Sequence, residues 1–299
     1  MFNTEETLGA RMPETDDGPD SSAKQALMAR YSIEITPKDL PALHEVKSDL
    51  PPGTAVSVTF LAGDGLDCRL NAAVDARRLG FVPVPHLSAR RLRSAFELEE
   101  YLSKLAAQAR IDQVFVVAGD AAQPAGPFKD AAAIIGSGLL GKYGVRTIGI
   151  AGYPEGHPDF LAEVLWQAMA QKHALIADLG HSCEITTQFG FNADPVLAWL
   201  RDLRERGFSS PVRLGVPGPA SVKTLLRFAT RCGVGASTKV LAKYGMSITR
   251  LLSTVGPDAI VTEFVDRLDP KVHGEVRLHL YPFGGLRHTV DWSRRFATV

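Results

Sequence analysis

The feature that most constrains this chain is an alternation of short β-branched or apolar runs with longer amphipathic stretches. The runs are YSIEI (31–35), AVSVTFL (55–61), FVPV (81–84), QVFVVA (113–118), VRTIGIA (145–151), CEITTQ (183–188), VRLGV (212–216) and VRLHLY (276–281). Between them lie helical patterns such as LDCRLNAAVDARRLG and ADPVLAWLRDLRERG, several closed by a glycine suited to a left-handed cap. Strand–helix–strand units of roughly 30 residues require parallel pairing through right-handed crossovers. Eight such units in about 270 residues predict α/β architecture closed into an eight-stranded TIM barrel, with extra helices in the long interval 217–275 before the last strand. An open doubly wound sheet is the alternative. The barrel is expected over residues 26–299. Residues 1–25 carry six acids against two bases and few large apolar groups, so a disordered acidic tail is expected there.

Lys plus Arg and Asp plus Glu both number 33, so the net charge is zero and the chain lacks the electrostatic footprint of a nucleic-acid or anionic-membrane binder. Cys68, Cys183 and Cys232 are too dispersed for a disulfide framework or a thiolate zinc site. His273, His279 and His288 have no carboxylate at ligand spacing, so no metal is expected. No apolar run approaches the ~18 residues of a membrane span, and the acidic N-terminus fits neither a signal nor a transit peptide, which points to the cytoplasm. Whether the barrel assembles as a homo-oligomer stays open.

Barrels of this kind carry their chemistry on loops after the C-terminal strand ends. Glu34 interrupts the apolar strand YSIEI; it either faces the barrel mouth, where desolvation suits a general acid, or pairs with Lys or Arg at a strand edge. Asp120 follows VFVVAG, where Gly119 allows close backbone approach and a carboxylate can meet a developing cation; a helix N-cap is the other use. AGYPEGHP (151–158) holds Tyr153 and His157 on a stiff, proline-braced loop. Thr59 and His86 stand at further strand ends, and Gln188 offers donor and acceptor together, as recognition of a heteroaromatic edge requires. GSGLLG (136–141) matches a dinucleotide fingerprint but does not follow a strand, so it reads as a helix end.

Taken in order, VSVTF (56–60), PHLS (85–88), AGD (118–120), IGIAGYPEGHP (148–158), ITTQF (185–189), VPGP (216–219) and LLRFATRCGV (225–234) resemble the methylenetetrahydrofolate reductase family. The resemblance implies an eight-stranded β/α barrel that reduces 5,10-methylenetetrahydrofolate to 5-methyltetrahydrofolate, usually with FAD relaying hydride from NADH or NADPH. It implies Glu34 as general acid, Asp120 as the carboxylate that contacts the pterin and stabilises the iminium cation, and Gln188 as a folate contact. Thr59, His86, Gly119, Tyr153 and His157 match cofactor-lining positions. Phe283 and Arg287, beyond the last strand, are expected against the substrate, with Arg287 meeting the glutamate tail.

The departures are specific. Where the family has Arg-Gly-Asp, this chain has Ala118-Gly119-Asp120, and the polar flavin contacts after HP fall on Trp166, Met169, Lys172 and His173. Losing several charge-assisted contacts, each worth about 1.5–3 kcal/mol, weakens FAD by orders of magnitude. The expectation is therefore an NADH- or NADPH-dependent oxidoreductase of one-carbon folates that transfers hydride directly. FAD-dependent catalysis and a non-catalytic folate- or flavin-binding partner in methyl transfer are the alternatives.

Overall fold

The structure, a computed structural model, describes residues 19–232 and 253–298. Eight parallel strands close a barrel: β1 (Ser32–Ile35), β2 (Ala55–Val58), β3 (Val82–Ser88), β4 (Gln113–Val117), β5 (Thr147–Gly152), β6 (Ser182–Phe189), β7 (Val212–Pro217) and β10 (Val276–Tyr281). Two-residue strands β8 (Ala220–Ser221) and β9 (Thr254–Val255) form a separate antiparallel ribbon. Closure is made by β1 on β10, with Ser32 opposite His279 and Ile33 opposite Leu280. The helices are α1 (Pro19–Met28), α2 (Leu40–Glu45), α3 (Leu66–Arg78), α4 (Ala95–Ala109), α5 (Ala131–Ile135), α6 (Leu139–Lys142), α7 (Ala162–Asp178), α8 (Ala193–Glu205) and α9 (Val222–Cys232), followed by Asp258–Arg267, Pro270–His273 and Leu286–Thr298. No helix among the described residues is long and apolar enough to cross a membrane.

The eight apolar runs all become barrel strands, and the interval 217–275 does hold extra helices. Two boundaries differ from expectation. The chain is helical from Pro19, inside the expected tail, because Leu27 and Met28 reach the core and α1 packs against β10 and the last helix. Strand β3 runs on to Ser88, since the ladder to β4 continues through His86, Leu87 and Ser88. GSGLLG runs from the end of α5 into α6, with no strand leading into it. The expected helical pattern after Cys232 runs into residues outside those described.

Alternation within each strand sorts the side chains. Ile33, Ile35, Val56, Val58, Val114, Val116, Ile148, Ile150, Leu278 and Leu280 are at most 1 % exposed and face the helices. Each contributes roughly 1.5–3 kcal/mol by burial. The helices answer with matching stripes: in α8, Val196, Leu197, Leu200 and Leu203 are buried at helical spacing. Asn192 caps that helix by accepting from the Asp194 N–H, and Gly207 follows it at φ +87°.

The residues between these apolar ones turn inward, and many are polar: Ser32, Ser57, Gln113, Thr147, Glu184, Thr186 and Arg213 line the axis around Phe115 and Gly149. Glu184 holds this end together, accepting from Arg213 Nε at 2.6 Å and Arg277 at 3.5 Å. Gly149 is small because Phe115 lies across from it; a Cβ there would stand 2.8 Å from the ring. Gly149→Val is therefore expected to cost about 1–3 kcal/mol of overpacking, read as a lower urea midpoint with an unchanged denaturant slope.

Candidate functional site

Because β1 lies between β2 and β10, the residue after Ile33 points along the barrel axis, and that residue is Glu34. Its carboxylate lies 3.8 Å from His86 Nε2 on β3 and 3.8 Å from His279 Nε2 on β10. The side chains are 21 %, 13 % and 3 % exposed respectively, so the three groups share a nearly dry space. His86 leans on Phe115 with ring centres 4.8 Å apart. Burial pulls its pKa down from 6.5 to about 4, against the opposing pull of Glu34, so its ring is neutral at physiological pH. His279 Nδ1 and Ser32 Oγ are 2.7 Å apart. The neighbours of Glu34 are thus imidazoles rather than the Lys or Arg of a strand-edge pair.

Glu34 and His86 are brought together as the sequence suggested; His279, weighed there only as a metal ligand, joins them. The period of two in VRLHLY, which puts Arg277, His279 and Tyr281 on one face, is the signal that would have found it. Above His279 rises an aromatic wall. Tyr281 meets His279 edge-on at 4.7 Å and donates its hydroxyl to the Thr187 carbonyl at 3.1 Å. Phe283 stacks on Tyr281 at 5.6 Å and on Phe228 of α9 at 4.0 Å, with Phe189 against its edge. Phe283, expected against the substrate, stands in this wall with Phe228 and Tyr281, which the sequence did not single out.

The remaining candidates sit around this centre. Gly119 has φ +90° and presses on β3, where a Cβ would fall 2.0 Å from Ser88 Oγ; no other residue fits. Asp120 follows it on the loop after β4, 67 % exposed and ion-paired with Arg91. It is not a helix cap; Asp130 caps α5. Gln188 sits where the β6–β7 register shifts, and its Oε1 accepts the Phe189 N–H at 3.1 Å. Tyr153 and His157 meet edge-to-face at 5.4 Å, and His157 Nδ1 accepts the Asp159 N–H at 3.2 Å. The Thr59 hydroxyl is buried with no hydrogen-bond partner among the described residues. Arg287 departs from expectation. Its guanidinium binds Asp49 at 2.6 Å, Asp291 at 3.2 Å and the Glu45 carbonyl at 2.9 Å, so it ties the last helix to the α2 region, and its charge is already used there.

The four positions after HP are built into packing. Trp166 stacks on Trp199 at 5.7 Å, Met169 is buried, and His173 bonds Ser210 at 3.0 Å while meeting the Phe208 ring edge-on. Burial pushes the Lys172 pKa down. A cavity of about 310 Å³ remains between α7, α8 and Tyr153; its walls include Trp166, Met169 and Trp199, and its one charged lining residue is Asp202. The lining of this cavity thus offers one acid and no base, while the Arg206 guanidinium lies over the Trp166 ring at 4.6 Å.

Comparison with known proteins shows the family. The family model described as methylenetetrahydrofolate reductase matches residues 42–281. Over 155 residues the chain is 27 % identical to methylenetetrahydrofolate reductase (NADH) 1 of Arabidopsis thaliana, covering 48 % of this chain and 25 % of that protein. The chain thus spans about a quarter of the length of that curated relative. In fold it resembles a Clostridium thermocellum protein that binds two copies of 5-methyl-5,6,7,8-tetrahydrofolic acid: TM-score 0.59, 13 % identity, 92 % of this chain and 96 % of that one. Glu34 precedes the matched span, and its place in the site is given by the β1–β10 register.

The depressed His86 has a measurable consequence. Unfolded, it takes up a proton near pH 6.5; folded, only near 4, so the unfolded state binds more protons between the two. Stability is full above about pH 6.5 and falls on acidification, by on the order of 3 kcal/mol at pH 4. His86→Asn is expected to flatten that stretch of a Tm-against-pH curve.

Proposed function

The chain belongs to the methylenetetrahydrofolate reductase family, and we propose that it interconverts 5,10-methylenetetrahydrofolate and 5-methyltetrahydrofolate with NADH or NADPH, using Glu34 as general acid and no flavin. The observation that carries this reading is the position of Glu34: a carboxyl group inside the barrel, one-fifth exposed, at the end of β1 and flanked by two imidazoles. A carboxylic acid there gives its proton to a nitrogen of the folate's five-membered ring. The ring opens, and the methylene carbon becomes an iminium.

Each remaining role is assigned by chemistry and place. Asp120, on the loop after β4, supplies negative charge to the iminium once its exposed pair with Arg91 exchanges; an ion pair of that kind holds only ~0–1 kcal/mol. The Tyr281–Phe283 face offers a flat apolar surface to a pterin. Gln188 has its oxygen committed to Phe189, leaving its amide hydrogens as donors to the pterin edge. Tyr153 and His157 flank the approach of the nicotinamide, which supplies hydride to the iminium carbon. Burial raises the Tyr153 pKa, so this ring enters as a neutral wall.

The flavin-free form of the reading rests on Trp166, Met169 and Asp202, which put bulk and negative charge where phosphate donors would be needed. Glu34→Gln is expected to lower kcat for hydride transfer by roughly 10²–10⁴-fold while the affinity for 5-methyltetrahydrofolate changes little. Purified protein is expected to show no flavin absorption, and added FAD to leave turnover unchanged. Stoichiometric flavin bands would remove the flavin-free mechanism, and full turnover by Glu34→Gln would remove the acid.

A further inference from the structure

A general acid must be protonated when its substrate arrives, and an ordinary glutamate, with a pKa of about 4.3, is almost wholly ionised at neutral pH. The structure contains a device that bears on this. His279 is 3 % exposed, its Nε2 faces Glu34 Oε2 at 3.8 Å, and its Nδ1 lies 2.7 Å from Ser32 Oγ. Ser32 itself is buried on the neighbouring strand, directly opposite His279 in the β1–β10 ladder, and its hydroxyl also faces the Leu278 carbonyl at 3.4 Å.

The serine has one proton to give. Donated to the Leu278 carbonyl, it leaves Oγ to accept a hydrogen bond from His279 Nδ1–H, and a neutral imidazole with its proton on Nδ1 has a bare Nε2. That bare nitrogen is the atom turned toward Glu34. We infer that His279, its tautomer set by Ser32, is a positioning residue that holds Glu34 in its protonated form by offering Nε2 as acceptor to the carboxylic O–H. The 3.8 Å separation becomes a hydrogen bond on an approach of about 1 Å. No proton leaves His279 in this arrangement: Glu34 gives its own proton to the folate, and His279 stays neutral.

Among the described residues, the other ionisable groups around Glu34 are His86 from β3, Tyr281 from β10 and Cys232 from α9, with Tyr153, beyond β5, next to Tyr281. Burial keeps His86 neutral down to about pH 4 and raises the pKa of both tyrosines and of the Cys232 thiol. None of them places a positive charge beside the carboxyl at neutral pH. Among the described residues no Lys or Arg pairs with this carboxyl, and His279 is the group whose second nitrogen is bonded onward.

This inference rests on the assignment of Glu34 as an acid, and its test reads protonation rather than turnover. The infrared carbonyl band of protonated Glu34, identified as the band that Glu34→Gln removes, is followed against pH in the full chain, together with the pH profile of kcat/KM. In Ser32→Ala the imidazole is free to carry its proton on Nε2 and donate to the carboxylate, so the midpoint is expected to fall by about one pH unit, as loss of one hydrogen bond implies. Activity is then lost at correspondingly lower pH. Ser32→Thr keeps the hydroxyl and is expected to titrate like the parent, and His279→Leu to fall with Ser32→Ala. If His279→Leu does not fold, the two serine variants decide the matter. A midpoint that rises or stays fixed in Ser32→Ala overturns the role of His279, whether or not Glu34→Gln has lost turnover. A midpoint that falls in Ser32→Ala and recovers in Ser32→Thr supports it.

Discussion

A carboxyl group inside a parallel barrel is the constraint on which the rest of this structure depends. Removing an ionised carboxylate from water costs several kcal/mol unless charge or hydrogen bonds compensate it. Among the described residues Glu34 meets neither Lys nor Arg; it meets two imidazoles, one of which burial keeps uncharged. Each of these neighbours is itself held in place. The Phe115 ring backs His86, Ser32 engages His279, and Tyr281 carries its hydroxyl away to the Thr187 carbonyl rather than toward the carboxyl.

The opposite end of the axis solves a similar problem differently. Barrel interiors are commonly filled by branched apolar residues, whereas this one holds Glu184 between Arg213 and Arg277. Arg213 is further fixed by donating to the Arg30 carbonyl, which fastens the chain just before β1. One end of the axis thus holds an acid between two guanidinium groups, and the other an acid between two imidazoles.

Much of this was legible in the sequence, for physical reasons. Eight β-branched or apolar runs alternating with helical stretches admit few architectures, and a glutamate inside an apolar run has few places to go. His86 was singled out through the motif PHLS, and Phe283 only by its place beyond the last strand. His279 was not, because a lone histidine in a strand carries no signal until its face and register are known; Ser32 opposite it supplies that register only in three dimensions. Arg287 was misread because a base beyond the last strand can reach either the mouth or the flank, and Asp49 on the flank decided it. The boundary at Pro19 was obscured because six acids outweighed Leu27 and Met28 as a compositional signal.

The positions after HP show how a barrel keeps its frame while its lining changes. Trp166 on Trp199 and His173 on Phe208 fill part of the space beside α7 and leave the cavity whose walls include Trp166, Met169 and Trp199. The most direct measurement is a crystal structure of the complex with 5-methyltetrahydrofolate. The account predicts the pterin in the barrel mouth with a folate nitrogen within hydrogen-bonding distance, about 3 Å, of the Glu34 carboxyl. A pterin bound elsewhere, or one with no nitrogen in reach of Glu34, would contradict it.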